Sequence, residues 1–284
     1  MELLKNKQKI RNIVVIIIIA IMCGIIFFYQ TKKVGFHEDE GYTIASSVNP
    51  TNGLMVAYDE SGNTDGPVWK TREFVKDYVT LAPENIFNFW ALYHNQAGDN
   101  HPPFFYTLVH FSTLFFDGEF SKYSVFIVNI IAFALSCLVL RQILKILDKD
   151  HLSIPTLIFY GLSMGAMSMV IFQRMYMLLT FFILLYFYYT LKLYLNDFKL
   201  TKGLVIKLGI TTVLGFLTQY FFAIYAFFIA ILMVIQMIRR KKYRDIRNYL
   251  FAHMLYAVIG ILLFVPCIYH LLFTDRGLKY FGNS

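Results

Sequence analysis

Three consecutive acids, Glu38, Asp39 and Glu40, are the first side chains whose types and spacing could do chemistry. One carboxylate can take a proton from an attacking hydroxyl, while its neighbour orients it or holds a cation. A run of acids more commonly just faces water, so the triplet gains meaning from what shares its side of the molecule. Four further groups are candidates. His101 stands directly before Pro102 and Pro103, and Lys122 precedes a long apolar run. Gln173, Arg174 and Tyr176 interrupt one apolar stretch, and Gln219 with Tyr220 interrupts another. Arg174 leaves a permanent charge beside very apolar sequence, where it can meet a phosphate or snorkel to lipid head groups. The two prolines suit a helix start and hold the preceding residue extended, which gives the His101 side chain a defined direction.

The elements that must position these groups follow from composition. Apolar residues make up 57% of the 284-residue chain, aromatics 18% and charged residues only 15%, a balance suited to lipid as solvent. The expected fold class is an all-α polytopic membrane protein. A net charge of +8 does not point to nucleic acid, because the basic residues gather in short loops and at the N-terminus, where the positive-inside rule puts cytoplasmic charge. Cys23, Cys137 and Cys267 all lie in apolar runs and offer neither a disulfide framework nor a zinc motif.

Seven apolar runs are long enough to span: about 13–29, 123–147, 152–172, 175–195, 204–220, 221–238 and 249–273. The run at 102–116 would reach only about 22 Å as a helix, against a hydrocarbon core of about 30 Å. If it does not span, the basic clusters at Arg141–Lys149, Lys199–Lys202 and Arg239–Arg247 all fall on the cytoplasmic side, as the positive-inside rule prefers. The N-terminus is then cytoplasmic, and the acid triplet, His101, Lys122, Arg174 and Tyr220 share the outer face. Residues 30–122 form an outer loop with juxtamembrane helices. Within it, 49–67 reads as irregular, and Ile86, Phe89, Trp90 and Tyr93 recur at the spacing of an amphipathic helix.

Four segments carry a resemblance. Asp39-Glu40 in the first outer loop, GDNHPPFFYTLVHF at 98–111, QRMYMLLTFFILLYF at 173–187 and GFLTQYFFAIYAF at 215–227 resemble the Asp-Glu, His-Pro-Pro, Arg-x-Tyr and Thr-x-Tyr elements of polytopic GT-C glycosyltransferases. The relevant group includes protein O-mannosyltransferases (glycosyltransferase family 39-like) and bacterial lipid-phosphate-sugar transferases. The resemblance covers essentially the whole chain, and its His-Pro-Pro element is the most specific part. It implies a polyprenyl-phosphate sugar as donor and an extracytoplasmic acceptor, which is a cell-envelope glycan, lipid or protein. By matching motifs, Asp39 is the expected general base and Glu40 its orienting neighbour. Arg174 is the first candidate for the donor phosphate, Lys122 the second, and His101 a hydrogen-bond donor. Tyr176, Gln219 and Tyr220 complete the expected substrate-binding set. Oxygen-ligand chemistry also admits a divalent ion, Mg or Mn, held by Glu40 and His101.

Two features depart from the group. Lys122 stands near where many relatives have an arginine, which removes a bidentate phosphate contact. Relatives also usually continue into further helices, so the expectation is a fragment, a minimal form or a chain completed by a partner subunit. Two other classes compete. One is a lipid-linked sugar transporter or flippase, although no internal repeat is visible and the runs are nearly free of ionisable residues. The other is a non-catalytic membrane scaffold.

Overall fold

The computed structural model describes residues 2–50 and 71–273, and every regular element among them is helical. The irregular segment expected at 49–67 lies outside the described residues from position 51 onward. Helix α1 (Glu2–Lys32) runs beyond the expected span of 13–29 at both ends. Apolarity marks only its lipid-compatible middle, whereas the flanking Lys, Gln and Glu are themselves good helix formers. Val15, Ile19, Met22, Ile26 and Gln30 are buried, recurring every three or four residues, so α1 packs along one stripe.

Four short helices follow at the end of the bundle where α1 finishes: α2 (Glu38–Val48), α3 (Arg72–Tyr78), α4 (Phe89–Gly98) and α5 (Phe104–Thr113). The expected amphipathic helix is α4. It begins at Phe89 because Asn88 Oδ1 accepts from the Ala91 amide at 3.1 Å, and this N-cap leaves Ile86 outside the helix. Helix α5 and a following 3₁₀ turn cover Phe104–Phe116, the apolar stretch expected to be too short to span.

The long helices come next: α6 (Ser124–Ile146), a bent pair α7 (Ser153–Gly161) and α8 (Met164–Ile171), α9 (Tyr176–Leu195), α10 (Lys202–Thr218), α11 (Phe221–Arg239) and α12 (Tyr243–Leu263), then a single short turn of helix α13 (Cys267–Leu272). The pair α6 and α9 makes the most extensive helix–helix interface. Gly161 lets α1 approach α7, since a Cβ there would lie 2.3 Å from Met22 Sδ.

Two expected spans need correction. The run at 152–172 is not one rod, because α7 and α8 meet at 58°. Ser163 makes the break: its hydroxyl donates to the Tyr160 carbonyl at 2.7 Å and accepts from the Ala166 amide at 3.2 Å, replacing helix bonds with side-chain ones. The run at 249–273 is displaced, since α12 starts at Tyr243, within the basic cluster, and ends at Leu263. Pro266 lacks an amide donor, and the chain restarts as α13 beyond it.

Among the described residues, five helices are long and apolar enough to cross a membrane, or six with the bent pair taken as one span. Helix α10 has 17 residues, about 26 Å, and falls short by length. This is the layout of a multi-pass helical membrane protein. The outward faces of α11 and α12 agree: Phe227, Phe228, Leu232, Phe251 and Leu262 are all more than half exposed, a contiguous apolar surface suited to lipid rather than water.

The two ends of the bundle differ in chemistry. At one, Asp150 accepts from Arg11 at 3.2 Å and from Arg141 at 3.5 Å, while Arg141 also donates to Asn12 at 2.7 Å. This cluster fastens α1 to the α6–α7 turn. On the same end, Lys242 pairs with Asp197 between the α11–α12 and α9–α10 turns. The other end gathers α2, α4, α5, α13 and the α8–α9 and α10–α11 junctions, and with them most of the candidate residues.

Candidate active site

The acid triplet is the first turn of α2, with all three carboxylates beside the positive end of the helix dipole. His37 is the N-cap: its Nδ1 accepts from the Asp39 amide at 3.2 Å, and its own amide donates to Glu40 Oε2 at 2.7 Å. Glu40 thus closes a capping box. Its other oxygen accepts from Lys33 Nζ at 2.7 Å and from the Gln173 amide at 2.8 Å. Glu40 is 1% exposed, and these four groups tie the end of α1, the start of α2 and the α8–α9 junction together. Lys33 also donates to the Ile171 carbonyl at 3.4 Å, at the end of α8. Glu38 is exposed and accepts from Tyr42 at 2.5 Å; that bond, with burial and the charges of Glu38 and Asp39, pushes the Tyr42 hydroxyl up to about 12.

Asp39 differs from its neighbours. Its carboxylate is about half exposed, and the nearest basic nitrogen, His37 Nδ1, is 3.8 Å away, too far for a hydrogen bond. Its backbone carbonyl, by contrast, accepts from Arg174 Nη1 at 3.1 Å. Of the three acids, Asp39 alone combines an available carboxylate with a direct link to the buried interior of the site.

Arg174 lies in the unwound junction between α8 and α9, 5% exposed. The junction is shaped by a tight turn, with the Arg174 amide donating to the Phe172 carbonyl at 2.7 Å. Asn129, fully buried on α6, holds it from below: Asn129 Nδ2 is 3.1 Å from the Arg174 carbonyl and 3.4 Å from those of Val170 and Phe172. A buried amide with a cluster of freed carbonyls satisfies backbone that the broken helix leaves unpaired. From this seat the guanidinium donates to Thr43 Oγ1 at 2.9 Å as well as to the Asp39 carbonyl, and its Nη2 meets His101 Nε2 at 3.1 Å.

His101 Nδ1 in turn lies 2.8 Å from Asp99 Oδ2. Arginine has no acceptor, so His101 Nε2 must accept and Nδ1 must carry the proton that goes to Asp99. The ring is therefore neutral and in one tautomer. Burial would raise the Asp99 pKa, but the hydrogen bond from His101, the Asn100 amide and the Arg174 charge outweigh it and hold the carboxyl below its ordinary value. Asp99, His101 and Arg174 form one connected array reaching Thr43 and the start of α2.

Tyr106 sits at the edge of this array, buried on α5 one turn past the prolines. Its hydroxyl is raised above the usual tyrosine value by burial, lowered by Arg174 and raised by the charges of Asp99 and Asp39. Part of the lowering by Arg174 is a hydrogen bond between its guanidinium and the Tyr106 hydroxyl. Tyr220 also joins: its hydroxyl meets His270 Nδ1 at 2.9 Å, and His270 Nε2 reaches the Ala97 carbonyl of α4 at 3.0 Å. Burial raises the Tyr220 hydroxyl, with smaller contributions from Cys267 and Asp99.

The remaining candidates are placed differently. Lys122 Nζ donates to the Thr31 and Lys33 carbonyls at 2.9 and 3.3 Å, capping the last turn of α1, while the Lys122 carbonyl accepts from Gln30 and Gln173, each at 2.6 Å. Its ammonium serves α1 rather than standing with Arg174. Gln219 is buried and bonds its neighbour, Oε1 accepting from the Tyr220 amide at 2.7 Å. Tyr176 stacks on Phe172, ring centroids 6.3 Å apart.

Glu40 and His101 do not fit a divalent ion in this arrangement. Glu40 accepts from three donors, one a lysine, and both His101 nitrogens are committed. Among the described residues, no three His, Cys, Asp or Glu side chains stand together as a cation site.

Thr43, Lys33, Asn129 and Tyr106 are additions to the sequence candidates. Thr43 carried a signal, lying four residues after Asp39 and thus on the same face of α2. Asn129 carried only its polarity within an apolar run. Set against family models, curated proteins and solved structures, the chain matches none.

Proposed function

We propose that the chain is an integral-membrane glycosyltransferase that moves a sugar from a polyprenyl-phosphate donor to an extracytoplasmic acceptor by direct displacement. The observation that carries this reading is the array joining Asp99, His101 and Arg174 to the start of α2. It connects three of the four segments that resemble the GT-C group. In the reaction, an acceptor hydroxyl attacks the anomeric carbon, the bond from that carbon to the phosphate oxygen breaks, and the phosphate leaves with the electron pair. Asp39 is the base that takes the acceptor proton. Arg174 stabilises the phosphate, with His101 holding its guanidinium in one plane. Glu40 positions Asp39 by closing the first turn of α2.

The topology proposed with it takes the bent pair and α10 as spans, seven in all, with the basic end of the bundle cytoplasmic and the site on the outer face. A cell-membrane, multi-pass location follows. A second reading, a lipid-linked sugar flippase, draws on the break between α7 and α8, since discontinuous helices are common in transporters. One experiment separates the two. The purified full chain is reconstituted in vesicles with labelled polyprenyl-phosphate hexoses and a hydroxyl acceptor. Transfer or release of the labelled sugar supports the enzyme, whereas intact donor that changes leaflet would favour transport and sink the transferase reading.

A further inference from the structure

At the end of the bundle away from the array, ion pairs fasten the turns to one another: Arg11 and Arg141 pair with Asp150, and Lys242 and Arg240 with Asp197. Lys192 and Lys207 at the same end are different. Lys192 is the single charged residue of α9, and Lys207 is the single charged residue of α10 after its first position. Neither has an acid partner among the described residues, and Asp197, the acid of the turn between the two helices, is already shared by Lys242 and Arg240.

Both lysines line one cavity of about 280 Å³ between the last turn of α9 and the first turns of α10, together with Asn196, Thr201 and Gly203. Lys192 Nζ also lies over the Tyr188 ring, 5.0 Å from its centroid. Two cations brought to one cavity from different helices repel each other, and an anion between them reverses the sign of that interaction. The start of α10 puts the positive end of its helix dipole on the same side, and Asn196 and Thr201 carry N–H and O–H groups.

The depth of Lys207 points to where the anion comes from. It lies five residues into α10, about 7.5 Å along the axis from Lys202, and its neighbours Ile206 and Ile210 are both more than half exposed. A charge on the apolar outer surface of a membrane helix needs a partner. Ile210 and Leu214 follow Lys207 at i+3 and i+7 on one helix face, and both line an apolar groove of about 370 Å³ between α10 and α12. A cationic cavity followed along one helix by a hydrocarbon-lined groove matches a phospholipid, which carries a charged head on an apolar tail.

We infer that Lys192 and Lys207 bind the phosphate of an anionic phospholipid whose acyl chain lies along α10. Basic pockets between membrane helices recognise lipid head groups through the same chemistry. The inference needs the membrane-spanning layout and is independent of the transferase reading.

The test titrates the purified full chain, in neutral detergent, with phosphatidylglycerol and with phosphatidylcholine, and counts bound lipid by native mass spectrometry. Wild type should take one phosphatidylglycerol in preference to phosphatidylcholine. Lys192→Gln and Lys207→Gln should each weaken its binding about fivefold, the scale of one cation at a lipid surface, while Lys192→Arg retains it. Lys149→Gln, which changes an exposed lysine at the same end but outside the cavity, should leave it unaltered. Phosphatidylglycerol should also raise the melting temperature of wild type more than that of either Gln variant.

An equal loss in Lys149→Gln would reduce the effect to overall charge and overturn the site. Glycerol phosphate that competes as well as the lipid would make the occupant a soluble phosphate and overturn the lipid assignment. Wild type without preference for phosphatidylglycerol removes the inference outright. A lower melting temperature for Lys207→Gln in lipid-free detergent would give that lysine a role in holding the helices together, and would also overturn it.

Discussion

Arg174 Nη2 lies 3.1 Å from His101 Nε2, and this one contact sets the protonation of the array. The imidazole must be an acceptor toward arginine, so its proton sits on Nδ1 and points at Asp99. A neutral histidine locked this way holds the guanidinium without competing for charge, leaving the positive field of Arg174 for an anionic ligand. The fork is essential, because one nitrogen serves both Thr43 and the Asp39 carbonyl while the second serves His101.

Arg174→Lys keeps the charge but not the fork. Its ammonium cannot hold all three partners, and donor turnover should fall on the order of 10²-fold or more, the scale seen when one preorganised donor is lost. Steady-state kinetics with varied donor check this. A variant with unaltered donor dependence would remove Arg174 from the phosphate role.

Asp39→Asn should lower transfer by about 10² to 10⁴, the usual contribution of a general base, with no loss of stability. The reason is structural: the Asp39 carboxylate makes no hydrogen bond that fastens one helix to another, while its backbone contacts persist in the variant. Turnover and thermal melting measured on the same preparation separate the two effects.

Glu40→Ala should act in the opposite way. It leaves Lys33 without its partner, and Lys33 is itself only 13% exposed in its side chain. Breaking a buried ion pair from one side costs about 3–5 kcal/mol, and the capping box is lost as well. We expect poor folding and a low melting temperature, read by thermal denaturation in detergent. A stable but inactive Glu40→Ala protein would instead make Glu40 a chemical participant.

Asp99 supplies a pH dependence whose sign follows from its depressed pKa. A carboxyl with a lowered folded-state value stabilises the fold above its unfolded pKa, and that stabilisation is lost as pH falls through the folded value. Its ordinary value is 3.8. The melting-temperature gap between wild type and Asp99→Asn should stay constant at neutral and mildly acidic pH and close only below about 4. A gap that closes near the ordinary titration range of histidine would place the controlling group on His101 instead.

Asn129→Leu should weaken the α8–α9 junction without touching any ligand. The carbonyls of Val170, Phe172 and Arg174 lose their buried donor, at about 1–3 kcal/mol, and Arg174 loses its seat. Activity and stability should fall together, and Asn129→Gln should not restore them fully, since the longer amide must be accommodated in a close-packed interior.

Much of the helical layout was legible in sequence because the signals are local. The boundaries of α6, α9 and α11 lie within a residue or so of the apolar runs, as expected where hydrophobicity changes sharply. The misplaced boundaries came from polar backbone chemistry inside apolar sequence. Ser163 breaks a run that hydrophobicity reads as continuous, and Pro266 stops α12 short of the end of its run. Neither event changes mean hydropathy enough to be seen.

The candidate site was legible only as a set of residues on one face. Sequence alone determined that the chain is helical and lipid-compatible, that three acids stand together after the first apolar run, and that His101 leads into a proline-started helix; each is a matter of residue type and near neighbours. Tertiary structure alone decided the division of labour. Glu40 and Asp39 are adjacent in sequence, yet one is an ion-paired cap and the other an available carboxylate. Lys122 and Arg174 are both cations near the same end, yet one caps α1 and the other joins the array. The physical reason is that a charge takes its role from the groups that pack against it. Here those groups come from far along the chain, His101 lying 73 residues from Arg174 and Glu40 lying 133 from Gln173.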